Sequence, residues 1–268
     1  MKSRPDIPSQ RPRVAVHKFS SCDGCQLAFL NLGEQLLDLA ELVELVHFAE
    51  AGPLDPEGEV DIAFVEGSIS TPEEVERIGR IRRRSRFLVT MGACATAGGI
   101  QALRNFADGG AWLADIYASP EHIQSLATVT PIAAQVKVDL ELWGCPVSSR
   151  QVLAAIRALL FGVMPREERD KVCLECKRSQ TVCVMVTRGE PCMGPVTLTG
   201  CGALCPRFGR ACYGCYGPAE NLNTRSHRRC LAGLGLAAED IRHRYHFIAN
   251  QAPEFLAAGM AEGSKTES

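Results

Sequence analysis

The sequence lacks a strong charge of either sign and any long apolar run. Lys and Arg number 29 and Asp and Glu number 31, which gives a formal net charge of −2. So small a balance gives no reason to expect binding to nucleic acid or to a membrane surface. No apolar run is long enough to span a bilayer, and the polar, proline-rich residues 1–13 show no secretory or twin-arginine signal. We therefore expect a cytoplasmic protein.

The glycine-rich loop of nucleotide-binding proteins is also missing. No G-x-G-x-x-G occurs, so we expect neither flavin nor NAD(P) in this chain. A short apolar run at 14–19 is followed, where such a loop would stand, by Ser20-Ser21-Cys22-Asp23-Gly24-Cys25. This turn carries one glycine and two thiols separated by two residues. Such a thiolate pair can hold one iron or zinc centre from two sides.

Cysteine is the most informative part of the composition. The chain has 268 residues, 46% of them hydrophobic, which predicts one large domain plus a small one. It has 13 cysteines, and in a reducing cytosol such a count indicates metal binding rather than disulfides. By position, twelve of them form three sets of four, and Cys230 stands alone.

The first half alternates short apolar runs with helical patterns. This alternation predicts an α/β fold with a mostly parallel sheet and right-handed crossovers. Ligands of such sheets bind beyond the carboxyl ends of the strands, where Cys22, Cys94 and Cys145 follow predicted strands. Residues 95–135 look like loops and short helices. The predicted strands are 14–19, 43–49, 61–67, 87–91 and 138–143, and the predicted helices are 26–39, one starting at Thr71-Pro72, and one from Ser148 or Ser149 to about Phe161.

The composition changes after a charged, linker-like run at 165–171. Between Cys173 and Cys215, 8 of 43 residues are cysteine and few are large and apolar, so we expect bound metal to supply much of the folding energy. The spacings C-x2-C-x6-C-x8-C and C-x3-C-x6-C-x2-C provide room for two further four-cysteine centres. A helix at 238–246 and a polar tail complete the chain.

Zinc competes with iron–sulfur for these sites because both bind thiolates. The C-x3-C and C-x2-C pairs could form one structural zinc site. Three all-cysteine sites in one chain fit an electron relay better than a scaffold. The steps Cys145-Pro146 and Cys205-Pro206 are also typical of ferredoxin modules, so the pattern favours iron–sulfur.

Four segments together resemble the small, electron-transferring subunit of nickel–iron hydrogenases. They are Ser21-Cys22-Asp23-Gly24-Cys25-Gln26, Val65-Glu66-Gly67-Ser68-Ile69, Gly92-Ala93-Cys94-Ala95 with Gly98-Gly99-Ile100, and Gly144-Cys145-Pro146. The resemblance runs over residues 13–217. It implies a flavodoxin-like first domain at 1–162, with Cys22, Cys25, Cys94 and Cys145 as ligands of a proximal [4Fe–4S] cluster. It also singles out Glu66 as a possible proton relay beside that cluster, with a capping or interface carboxylate as the alternative.

The second half is similar to the cytoplasmic, multi-subunit branch of that family, which includes the sulfhydrogenase delta subunit and methanogen enzymes. No histidine occurs between Cys173 and Cys215, whereas the membrane-bound and periplasmic members use one on the distal cluster. The resemblance implies a ferredoxin-like module at 163–268 with medial and distal [4Fe–4S] clusters. Sequence order assigns one cluster to Cys173, Cys176, Cys183 and Cys192, and the other to Cys201, Cys205, Cys212 and Cys215.

The resemblance implies an oxidoreductase subunit that relays electrons between a nickel–iron large subunit and flavin/NAD(P)-binding and ferredoxin-like subunits. Nickel is not expected here, because the chain lacks the paired C-x-x-C motifs, one near each terminus, that hold it in the family. Two alternatives stay open. One is the related iron–sulfur subunit of a quinone-reducing dehydrogenase, and the other is a zinc-stapled scaffold protein.

Overall fold

The first half of the chain is an α/β domain around one parallel sheet. The computed structural model describes residues 11–52, 55, 57–165 and 170–261. The strands are β1 (Arg13–Lys18), β2 (Glu44–Phe48), β3 (Val60–Glu66), β4 (Ser85–Met91) and β5 (Leu140–Leu142). All neighbours pair in parallel, in the order β2-β1-β3-β4-β5. That order is the flavodoxin-like one, so the predicted α/β fold class is confirmed.

In the described part of the chain, six α-helices accompany the sheet and six more follow it. The first six are α1 (Gly24–Leu30), α2 (Glu34–Leu42), α3 (Pro72–Arg84), α4 (Gly92–Ala97), α5 (Gly109–Ile116) and α6 (Ser149–Leu160). The others are α7 (Val172–Arg178), α8 (Val184–Arg188), α9 (Leu204–Arg207), α10 (Thr224–Gly233), α11 (Ala238–Tyr245) and α12 (Pro253–Met260). Short 3-10 segments lie at Ile100–Phe106, Pro120–His122, Ile132–Ala134 and Gly194–Val196.

Each face of the sheet carries its own hydrophobic core because successive strand residues point to opposite faces. Val16 belongs to the core shared with α1, α2 and α6, and its neighbour Ala15 belongs to the core shared with α3. Phe29 of α1 is fully buried and stacks edge to face on Phe48 and Phe64. Burying a side chain of that size contributes about 1.5–3 kcal/mol. This packing fixes α1 above the sheet.

The single helix predicted at 26–39 is wrong, because the chain forms two helices there. Gly33 adopts a φ of 59° and breaks the helix between α1 and α2. Glycine reaches this left-handed conformation without a Cβ penalty, so the apolar periodicity continues across a break in the backbone. The side chains of Leu27 and Leu37 are then exposed rather than buried.

Two predicted helix starts are confirmed with their caps. Thr71 accepts the backbone N–H of Glu74, and Ser148 accepts that of Gln151, and each forms a capping box.

The predicted fifth strand is present but shorter than 138–143. Just before this strand, the backbone N–H of Asp139 donates to the carbonyl of Leu88, and its carboxylate accepts from the N–H of Leu88 and from Arg82.

The second half builds a hydrophobic core that the sequence did not suggest. Val172, Val196, Leu231, Tyr245 and Phe255 are all buried in it. Apolar residues of the cysteine-rich segment thus pack against α10, α11 and α12, of which only α11 was predicted. Within 170–261 the structure contains helices and isolated bridges but no β-strand, so a ferredoxin-like fold is not confirmed.

The division of the chain at 162/163 stays a prediction. Most of the linker-like run (166–169) lies outside the described residues, as do 1–10 and the tail at 262–268. Ala97 of α4 packs in the second-half core, so the two halves touch through that helix. Among the described helices, none has the length and apolar character needed to cross a membrane.

Candidate metal centres

Four cysteines follow strands at the carboxyl edge of the sheet. Cys22 and Cys25 come after β1, Cys94 lies in α4 directly after β4, and Cys145 follows β5. The N–H of Ala93 donates to the carbonyl of Gly144 at 2.7 Å, which ties the second and third of these loops together. The structure thus brings the first predicted set to one end of the domain; we name it the sheet-edge set.

Glu66 is the last residue of β3 and lies at the same edge of the sheet. Its side chain is buried, and its two oxygens accept the backbone N–H groups of Cys25 and Gln26, each at 3.1 Å. Burial raises the pKa of Glu66, and these two hydrogen bonds oppose that rise. The carboxylate therefore holds the start of α1, and with it Cys25, against the sheet.

Two glycines leave space for the thiols. A Cβ at Gly92 would lie 2.3 Å from Sγ of Cys25, and one at Gly99 would lie 2.6 Å from Sγ of Cys94. Both glycines also have positive φ, of 82° and 67°. The need for glycine here is therefore both conformational and steric.

The sheet-edge thiols are close enough to affect one another electrostatically. Burial first, and then charge on Cys145 and Cys22, raise the pKa of Cys94 to about 11, although its hydrogen bond to Gln101 opposes the rise. Burial also raises the pKa of Cys25, with added contributions from Glu66, Cys94 and Cys145. Cys25 and Cys94 are therefore protonated at neutral pH in the metal-free chain, and metal binding must release those protons.

The sheet-edge set is open on one side. Cys22 and Cys145 are exposed and Cys94 is half-buried, whereas Cys25 is only 8% exposed. Among the described residues, no group of three or more His, Cys, Asp or Glu side chains is arranged to hold a single metal ion. A tetrahedral zinc site with Zn–S bonds of about 2.3 Å would need a tighter group of thiols.

The second predicted set surrounds α7 and the start of α8. A Cβ at Gly194 would lie 3.4 Å from Sγ of Cys192 and 3.6 Å from Sγ of Cys173, so one point is close to both sulfurs. Burial first, and then charge on Cys173, Cys192 and Cys183, raise the pKa of Cys176 to about 11. Cys183 is exposed. We name these four cysteines the 173–192 set.

The third predicted set, named the 201–215 set, lies between the other two. Burial first, and then charge on Cys201 and on Cys145 of the sheet-edge set, raise the pKa of Cys215 to about 12, and a hydrogen bond with the backbone of Cys145 opposes the rise. On the other side, the N–H of Cys212 donates to Sγ of Cys192 at 3.2 Å. The last set in the sequence is therefore the middle one in space.

A tyrosine ring fills the space between the sheet-edge and 201–215 sets. A Cβ at Gly144 would lie 2.9 Å from Cζ of Tyr216, and one at Gly200 would lie 2.6 Å from its Cε1. The ring of Tyr216 is thus packed between the loops that carry Cys145 and Cys201. No motif singled out this tyrosine, although it follows directly after a predicted ligand.

Two further polar residues at the centres were missed from the sequence. Gln101 accepts from Sγ of Cys94 at 3.4 Å and donates to the carbonyl of Ser20 at 2.9 Å. Glu175 is buried beside the 201–215 set although in the sequence it lies between Cys173 and Cys176 of the 173–192 set. Its position between two cysteines of a C-x-x-C pair was the available signal. Cys230 is exposed and belongs to none of the sets.

Comparison with known proteins places the chain in a family. Residues 22–159 match the family described as NADH ubiquinone oxidoreductase, 20 Kd subunit. The chain is 34% identical over 212 residues to sulfhydrogenase 2 subunit delta of Pyrococcus furiosus, covering 79% of this chain and 88% of that protein. It is 29% identical over 243 residues to a subunit of the F420-non-reducing hydrogenase of Methanococcus voltae, covering 80% of this chain and 85% of that protein.

The structure supports the same grouping. It superposes on a chain of an NAD+-reducing [NiFe]-hydrogenase in the H2-reduced state with a TM-score of 0.55 and 31% identity. The match covers 59% of this chain and 95% of that one. The chain therefore belongs to the NADH ubiquinone oxidoreductase 20 Kd subunit family and, within it, to the small subunits of hydrogenases, which are oxidoreductases acting on hydrogen.

Proposed function

We propose that this chain relays electrons in a cytoplasmic nickel–iron hydrogenase, between the nickel–iron large subunit and a flavin/NAD(P)-reducing module. Three [4Fe–4S] clusters would be held by the sheet-edge, 173–192 and 201–215 sets. When bound, such clusters supply one-electron storage over a wide range of potentials. The observation that carries the proposal is the continuous arrangement of twelve cysteines, in which Cys215 faces Cys145 and Cys192 accepts from Cys212.

The residues present fit this chemistry. Every predicted ligand is a thiol, which is the donor that iron–sulfur clusters use. In a cluster each thiolate binds a different iron atom, so the sulfurs lie farther apart than around one ion. That spacing agrees with the absence, among the described residues, of a group arranged for a single metal ion. Gly92 and Gly99 keep Cβ atoms away from Cys25 and Cys94.

The order in space suggests an order of electron transfer. The sheet-edge set would exchange electrons with the large subunit because Cys22 and Cys145 are exposed there. The 201–215 set would come second, since Cys215 lies against Cys145. The 173–192 set would come last, and its exposed Cys183 would face the acceptor. The resemblance left the medial and distal assignments of the two C-terminal sets open, and this order makes the 201–215 set medial.

The surface around Cys183 suits an acidic redox partner. We name it the exit face, and its large apolar side chains are between 56% and 82% exposed: Val182, Val186, Leu204 and Phe208. Arg188 donates to the carbonyl of Gly209, which joins the two segments of the face. Residues 177–210 carry one acid, Glu190, and five exposed cations, Lys177, Arg178, Arg188, Arg207 and Arg210. A partner with acidic residues around an apolar centre would complement this face.

In the proposed function, Glu66 would act as a positioning residue. Both of its oxygens bind backbone N–H groups, which supports a positioning role for Cys25. The proton-relay role stays a prediction. A proton on either oxygen would weaken the hydrogen bond that this oxygen accepts.

Metal content tests the proposal most directly. Full-length protein, purified anaerobically in complex with its large subunit, should contain about 12 iron atoms attributable to this chain, with little zinc. The broad absorbance near 400 nm should bleach with dithionite. A content of about four iron atoms would contradict the three-cluster relay. Stoichiometric zinc in the C-terminal sets would instead support the zinc-stapled alternative.

A further inference from the structure

Glu175 connects the two C-terminal cysteine sets. It lies in α7 between Cys173 and Cys176, and the residue is only 9% exposed. Its Oε1 accepts the backbone N–H of Gly200 at 3.1 Å, and its Oε2 accepts that of Ala203 at 2.9 Å. These two N–H groups flank Cys201. A side chain that lies between two cysteines of the 173–192 set therefore organises the backbone around Cys201.

The loop around Cys201 has a conformation that needs such support. Gly200, Gly202 and Ala203 have positive φ values of 136°, 67° and 53°. A left-handed conformation is uncommon and unfavourable for a non-glycine residue such as Ala203. Successive residues of this kind turn backbone N–H groups to one side, where they can surround an anionic group. The Glu175 carboxylate occupies that position.

The carboxylate is also close to a predicted ligand. Its Oε2 lies 3.9 Å from Sγ of Cys201. A negative charge at this distance opposes further negative charge on the sulfur, and a buried site screens the repulsion poorly. Reduction adds negative charge to a thiolate-bound centre, so this carboxylate makes reduction less favourable there.

We propose that Glu175 is a positioning residue that joins the two C-terminal centres and keeps the reduction potential of the centre at Cys201 low. The inference rests on the proposed function, because it requires a redox centre in the 201–215 set. Glu66 provides a parallel at the sheet edge, where another buried carboxylate accepts the N–H groups of Cys25 and Gln26. Glu175 differs from Glu66 in that it comes from a neighbouring set of ligands.

The test compares Glu175→Gln with the wild-type hydrogenase complex, and uses Glu190→Gln as a matched control in the same segment. Gln keeps the size of the side chain but removes its charge and offers one acceptor where Glu offers two. In an anaerobic redox titration followed by electron paramagnetic resonance, we expect the potential of the centre at Cys201 to rise most. The centre at Cys176 should shift less than the one at Cys201, because the charge of Glu175 acts on Cys176 more weakly. The sheet-edge centre, and all centres of Glu190→Gln, should titrate as in the wild type.

Hydrogen exchange provides a second readout that a purely electrostatic effect would not change. We expect the amides of Gly200 and Ala203 to exchange about tenfold faster in Glu175→Gln, because a hydrogen bond to a charged acceptor is lost. If that variant loses iron, Glu175→Asp, which keeps the charge but shortens the reach, should show the faster exchange with a smaller shift in potential.

Wild-type potentials and unchanged exchange at both amides in Glu175→Gln would overturn the proposal. A wild-type complex without a redox centre in the 201–215 set would instead contradict the proposed function. That outcome is recognised from the iron content and spectrum of the wild type alone, so the two failures are distinguishable.

Discussion

The backbone N–H of Cys212 donates to Sγ of Cys192 at 3.2 Å. These residues belong to different sets, so the hydrogen bond links two predicted centres directly. An N–H donor stabilises a thiolate and, with it, the reduced state of a centre bound there. The two C-terminal sets therefore form one structural unit, and the proposed order of transfer passes through this contact.

The first prediction concerns that order. Cys22→Ala should block electron entry from the large subunit, yet leave the centres of the two C-terminal sets reducible by dithionite. Cys201→Ala should have the converse effect, because the sheet-edge centre would still be reduced with H2 while transfer to the native acceptor fails. Spectra of each variant under H2 and under dithionite check both. Near-normal acceptor reduction in Cys22→Ala would contradict the assignment of the sheet-edge set.

The second prediction concerns the space around Cys25. Gly92→Ala would place a Cβ 2.3 Å from Sγ of Cys25 in a backbone with a φ of 82°. The strained backbone alone costs about 1–3 kcal/mol. We expect the complex to lose about a third of this chain's iron, which corresponds to one of three clusters.

Gly24→Ala is the matched control for Gly92→Ala. Its Cβ would lie 3.4 Å from Sγ of Cys22, which is an ordinary contact, and Gly24 does not have a positive φ. Its iron content should stay at the wild-type value. Equal iron in the two variants would show that the close contact at Gly92 does not determine cluster binding.

Several features of the fold could be predicted because they depend on local patterns. The cap at Thr71 and the strand at 87–91 follow from residue type and periodicity over a few positions. The break at Gly33 was missed because apolar spacing continues from α1 into α2, and only the backbone shows the change. The helices α10 and α12 were missed because their stability comes from packing on Val172, Val196 and other distant residues.

The predicted sites show the same limit. Sequence order gave three sets of four cysteines, but it could not show that Cys215 lies against Cys145. The connecting role of Glu175 could not be predicted from the sequence either, because its partners Gly200 and Ala203 are 25 and 28 residues away. Long-range contacts of this kind depend on loop conformation, which composition and spacing do not determine.

The third prediction separates two roles of Glu66. Glu66→Gln removes the ability to carry a proton but keeps the size of the side chain and one good acceptor. Since both carboxylate oxygens are already hydrogen-bonded, we expect H2 oxidation with an artificial acceptor to remain close to wild type. Amide exchange at Cys25 and Gln26 should become faster. A large loss of turnover with unchanged exchange at these amides would instead support the proton relay.

The fourth prediction concerns the exit face. Arg207→Glu reverses an exposed charge beside Leu204 and Phe208. We expect H2-dependent reduction of the native acceptor module to slow by about tenfold at low ionic strength, and less at high salt, because rim charges mainly steer association. Viologen reduction should be unchanged. Arg83→Glu, at an exposed position of α3, is the control; equal effects of the two variants would place the partner elsewhere.

The last prediction concerns contact with the large subunit at the sheet edge. Cys22 and Cys145 are exposed there. Leu27, which follows Cys25 in the sequence, and Ile100, which follows Cys94, are 49% and 46% exposed. Exposed apolar residues beside a redox site are expected to be covered in an obligate complex, whose interfaces bury about 2,000 Å² or more. We therefore expect the large subunit to cover this edge. The buried Cys25 is protected by its own chain and cannot report on the partner.

Alkylation followed by mass spectrometry would measure this contact after iron has been chelated from both the isolated chain and the complex. Cys22 and Cys145 should react readily in the chain alone and slowly in the complex. Cys230 provides the internal control, because it is exposed, lies outside the three sets, and should react equally in both preparations. If Cys22 reacted at the same rate with and without the large subunit while Cys230 behaved as expected, the sheet edge would be open in the complex. Electron entry would then have to occur at another face of the chain.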